Sequence, residues 1–99
     1  MTVYQFRSTV TTASGTTSKQ SLNILGGLCR QVFISANTST TTFLANLTDQ
    51  NGVKVMDWGV HTGVLNDIRM SLPMSGKYTL AITNATPDDT FTILLGVQE

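Results

Sequence analysis

Little of this chain is charged. Asp, Glu, Lys and Arg together make 12% of its 99 residues, and the net charge is zero; about a quarter is the usual charged share. The six basic residues, Arg7, Lys19, Arg30, Lys54, Arg69 and Lys77, are scattered. They form no dense positive stripe of the kind that displaces counterions from phosphate, so nucleic acid is not an expected partner. The single cysteine, Cys29, excludes an intrachain disulfide. The cell interior, or a particle assembled there, fits better than an oxidising compartment. No apolar run is long enough to span a bilayer as a helix, and the first residues lack the basic-then-apolar order of a signal peptide. No membrane partner is expected. A soluble monomer with so few charges and no net charge would be poorly protected against association, which points to an assembly.

What the chain has instead is threonine, seventeen copies of it. A branched Cβ packs well on a pleated, half-exposed surface and poorly in a helix. No window carries apolar residues at helical spacing. Composition and period both indicate an all-β fold, and the length suits one domain with a single core.

The strands follow from alternation. Val3 to Thr11 sets Tyr4, Phe6 and Val10 on one face. A loop of turn formers covers 12–17. Ser18 to Leu25 aligns Leu22 with Ile24, and Gly26-Gly27 is a joint where the backbone bends without a Cβ penalty. Leu28 to Ser35 directs Leu28, Val32 and Ile34 inward and Cys29, Gln31 and Phe33 outward. Thr41 to Asp49 puts Phe43, Ala45 and Leu47 on the core side. Asp49-Gln50-Asn51-Gly52 is a hairpin turn, because Asn-Gly tolerates positive φ, and Val53 to Trp58 returns from it. Gly59 to Asp67 reads as a longer connection, after which Ile68, Met70 and Leu72 alternate up to Pro73. Ser75 to Asn84 and Phe91 to Val97 read as an antiparallel pair joined by the turn-rich stretch 84–89. About eight short strands at this spacing predict a two-layer antiparallel β-sandwich, Ig-like or jelly-roll.

Chemistry-bearing residues are sparse. His61 is the only histidine and has no ligand or base partner readable beside it, so it reads as an exposed or loop-packing residue. Asp88-Asp89 lacks the alternating oxygen ligands of a calcium loop and reads as a solvated turn. Tyr78 reads as a core tyrosine whose hydroxyl finds a backbone partner near a sandwich corner. Three Asn-x-Ser/Thr matches, at Asn37, Asn46 and Asn84, are close to what this composition gives by chance. No nucleophile elbow, phosphate loop or paired catalytic carboxylate is visible. The sequence therefore indicates a protein without catalytic, cofactor-binding or metal-binding residues.

The outward-facing apolar residues carry more. If Val53 and Val55 point inward, Met56 and Trp58 point away from the core; the same alternation sets Phe33, Leu44 and Leu94 outside. These five residues form the expected protein interface. The first strand, around Tyr4, Phe6 and Val10, is a candidate N-terminal arm that adds to the sheet edge of a neighbour.

Four segments, Leu28 to Ile34, Thr41 to Gly52, Thr62 to Asp67 and Gly76 to Leu80, resemble small β-sandwich structural proteins of tailed bacteriophages, of the head decoration or cement type. The resemblance covers roughly residues 28 to 97 and carries over no functional residue. It implies a non-enzymatic virion protein, made in the host cytoplasm and bound to the capsid exterior. Its partners would be further copies of itself, as a dimer or trimer, and a major capsid protein. The rival reading is a carbohydrate- or receptor-binding module of a fibre or adhesin, with Trp58, Asp57 and His61 as the glycan platform.

Overall fold

The computed structural model describes residues 3–11, 18–85 and 89–98. The strands are β1 (Val3–Thr11), β2 (Ser18–Ala36), β3 (Thr42–Asp49), β4 (Lys54–Thr62), β5 (Val64–Asp67), β6 (Leu72–Thr83) and β7 (Thr90–Gln98). Every pairing between them is antiparallel.

β2 organises the fold. Ser18 to Ile24 and Gly27 to Cys29 pair with β6, and Leu28 to Ala36 pairs with β7, so both partners flank Leu28 and Cys29. The β7 ladder begins just past Gly26-Gly27, with φ of 141° and 142°, where the register with β6 shifts. Only glycine suits this backbone, and at Gly27 a Cβ would stand 2.6 Å from the Gln98 carbonyl oxygen. The joint expected at this dipeptide is present, but as a kink inside one 19-residue strand rather than a break between two.

Counting the halves of β2 separately gives two layers. The first runs β1, β7, second half of β2, β5; the second runs first half of β2, β6, β3, β4. Among the described strands, β3 and β4 are the one pair consecutive in sequence that are neighbours within a layer. This four-on-four order is a jelly roll, which decides between the two topologies left open by the sequence. β6 and β7 are not paired with each other as expected. They occupy different layers and meet only through β2, which pairs with both.

The core lies between the layers. Val32 and Ile34 of β2, Phe43, Ala45 and Leu47 of β3, Leu80 and Ile82 of β6, and Phe91, Ile93, Leu95 and Val97 of β7 are all buried. Phe43 and Phe91 meet edge to face with centroids 5.2 Å apart. They belong to strands that share no ladder, so the contact ties one layer to the other.

Alternation fails where ladders bulge. β2 skips Arg30 in its register with β7, and Cys29, expected outside, is fully buried. β4 bulges twice, at Val55 and at Trp58. Residues directly opposite across a ladder share a face. Leu47 is opposite Met56, and Phe43 is opposite His61, so Met56 and His61 take the core side. Met56 and Trp58 pack against the core, while Val53, expected inward, is 56% exposed. The connection expected over 59–67 is the end of β4, a turn at Gly63, and β5. The strand expected over Ile68 to Leu72 starts only at Leu72. It runs through Pro73, which is opposite Leu28 in a stretch where β6 has a neighbour on one side only, the edge-like setting that proline tolerates.

Candidate functional site

With the core accounted for, the candidate site is the outside of the sandwich. Five residues were expected to share an apolar patch, and the fold separates them. Phe33 and Leu94 are direct cross-strand partners on the outer face of the first layer, both half-buried. Val64, 48% exposed, is opposite Ser35 in the adjoining row. Leu44 is on the outer face of the second layer, opposite Val60, which is 68% exposed. Met56 and Trp58 are withdrawn to the core side by the β4 bulges. Two small apolar groups on opposite faces replace one patch.

Trp58 is therefore not a stacking platform. Its Nε1–H is buried and has no hydrogen-bond partner, a deficit that costs about 1–3 kcal/mol for a buried donor. His61 is half-buried, with Nε2 2.9 Å from the Trp58 carbonyl oxygen and its ring tilted against Phe43 at 6.3 Å. Asp57 points outward, pairs with Lys54 at 3.5 Å and accepts the Gly59 N–H at 3.0 Å. Trp58, Asp57 and His61 do not converge on one surface.

β1 is an edge strand of its own chain. It pairs with β7 along all nine residues, Val3 with Gln98 through Thr11 with Thr90, without a bulge. Val10 packs against the core. The side chains of Tyr4 and Phe6 lie outside the described residues. An arm that grips a neighbour would use the strand's other edge, not a detached segment.

One end of the sandwich holds a site that alternation did not indicate. Asp89, read as part of a solvated turn, is 5% exposed. Its carboxylate accepts from the Thr41 hydroxyl at 2.6 Å and from the Thr90 N–H at 2.9 Å. Asp88 lies outside the described residues. Around this latch Asn37 N–H donates to the Thr90 carbonyl, Ala36 N–H to the Gly63 carbonyl and Gly63 N–H to the Thr41 carbonyl. Gly63, with φ 74°, leaves no room for a side chain, since a Cβ would be 2.6 Å from the Ser39 carbonyl oxygen. The Thr41–Asp89 pair spans 48 residues, so nothing local marked it.

At the other end the local readings hold. Asp49 Oδ1 accepts from the Asn51 and Val53 N–H groups, and Gly52 N–H donates to the Asp49 carbonyl, which closes the expected hairpin. The Tyr78 hydroxyl accepts from Ser75 N–H at 2.9 Å and donates to the Ser75 carbonyl at 3.2 Å, the backbone partnership expected of it.

Across the outer face of the second layer run two shallow grooves of about 490 Å³ each, meeting at Gln50 and Thr79. Asn46, Thr48 and Lys19 line one, and Asn23 and Lys77 line the other. Among the described residues no three His, Cys, Asp or Glu side chains gather as a metal site requires. Burial pushes the Cys29 thiol above its ordinary range, opposed by a contact with the Gln31 carbonyl and reinforced by Asp67.

No family model matches this chain, and no curated protein sequence matches it either.

Proposed function

We propose that this protein is a non-enzymatic structural component of a virus particle, a capsid decoration or cement protein that stabilises the phage head through protein–protein contacts. The jelly-roll order of the two layers carries the reading, since viral capsid domains recur on this architecture; the warrant is an analogy of fold. The closely tied loop end and the few surface charges suit a small, rigid subunit that buries surface on a shell. It works as a homo-oligomer, a dimer or trimer, on the capsid exterior after synthesis in the host cytoplasm.

Density-gradient fractionation of particles from cells that express the gene tests the reading. The protein should co-sediment with the major capsid protein in fixed stoichiometry. Its confinement to the soluble fraction would end the proposal.

The grooves of the second layer favour one alternative, a carbohydrate-binding module, because lectins share the architecture and amide and hydroxyl groups line the grooves. Glycan-array binding that is lost in Asn46→Ala and retained in Phe33→Ala would support that function over the first.

A further inference from the structure

Four strands end the two layers, and three of their edges are blunted. β4 carries two bulges and the Lys54–Asp57 pair. β5 is four residues long. The first half of β2 carries an exposed Lys19 and ends in the Gly26-Gly27 register shift. Short strands, bulges and lysines are the devices by which proteins stop edges from pairing with other chains. β1 is neither short nor bulged nor lysine-bearing, and Arg7 is its one charge. It has nine residues in unbroken register, no lysine and no proline, and among the described residues it pairs only with β7.

We propose that β1 is the assembly edge, and that its partner is β1 of a second copy, added antiparallel about a two-fold axis so that the first layers of two subunits become one continuous sheet. The inference rests on the reading of the protein as an assembling subunit and names the surface it uses. An antiparallel edge is its own complement, and a two-fold contact closes where a head-to-tail one would propagate. For side chains to stay on their own faces the axis must pass through a residue. An axis at Arg7 would set like charges directly opposite, which destabilises a sheet. An axis at Ser8 sets the Arg7 position across from Thr9 of the second copy, so no like charges meet.

Thr9 is exposed, so its substitution tests the contact without touching the core. Thr9→Lys should weaken the dimer and Thr9→Glu should strengthen it, each by about 3- to 10-fold in sedimentation equilibrium, because two cross-strand charge pairs are made at once. In hydrogen exchange of the unaltered protein, alternate β1 amides should gain protection as concentration rises. A strict monomer overturns the inference. So do two variants that shift the dimer the same way or not at all, or a dimer whose added protection lies outside β1. These outcomes leave co-sedimentation with capsids to be judged separately, so the edge and the particle role can fail independently.

Discussion

The two ends of the sandwich are fastened differently. At the hairpin end the ties are local: Asp49 holds amides two and four residues ahead, and Tyr78 holds a residue three behind. At the loop end they are distant: Thr41 reaches Asp89 across 48 residues, and Gly63 sits against Ser39. The local ties are exposed and compete with water, whereas the latch is buried. A buried hydrogen bond left half-made costs the full desolvation of the orphaned group, while an exposed one is replaced by solvent. Stability should therefore be concentrated at the loop end.

Phe91→Ala should have the largest effect, about 3–5 kcal/mol, since it opens a cavity and removes the edge-to-face contact with Phe43. Urea unfolding that shows a loss below about 1 kcal/mol would mean that the layers are not held there. Asp89→Ala comes next, at about 2–3 kcal/mol, by removing the acceptor of the buried Thr41 hydroxyl and the bond from the Thr90 N–H. Tyr78→Phe should cost about 1 kcal/mol or less because water replaces the phenol. If Tyr78→Phe matched Asp89→Ala in the same titration, the contrast between the ends would collapse.

The smallest effect belongs to Cys29. Its thiol is raised in the fold, so its contribution is complete below the ordinary thiol range and is lost as pH climbs through the raised value. Folded protein should resist alkylation at neutral pH and react fully in urea, and Cys29→Ala should flatten the alkaline fall in stability. Rapid alkylation of the folded protein would show that the β2 bulge leaves the thiol accessible.

The same division explains what could be read from the sequence. Hairpin, tyrosine tie and most core positions of β3 and β7 follow from neighbours a few residues apart, and they were legible. Bulges were not. A single extra residue reverses every face beyond it, which is how Cys29, Met56 and Trp58 changed sides. The latch was hidden for another reason. Asp89 resembles any turn carboxylate until the fold brings Thr41 to it. Two of the five residues expected to form a patch, Phe33 and Leu94, did come together, because no bulge separates their rows from the β2–β7 register beyond Gln31.

The undivided course of β2 has a mechanical consequence. Because one backbone passes through Gly26-Gly27 from the second layer into the first, a pull applied to either layer is borne by covalent bonds as well as by side-chain adhesion. Sliding the layers apart would require stripping hydrogen bonds from β6 or β7 along the same strand. In the proposed role as a shell-bound subunit, the protein would carry such a load along its own chain.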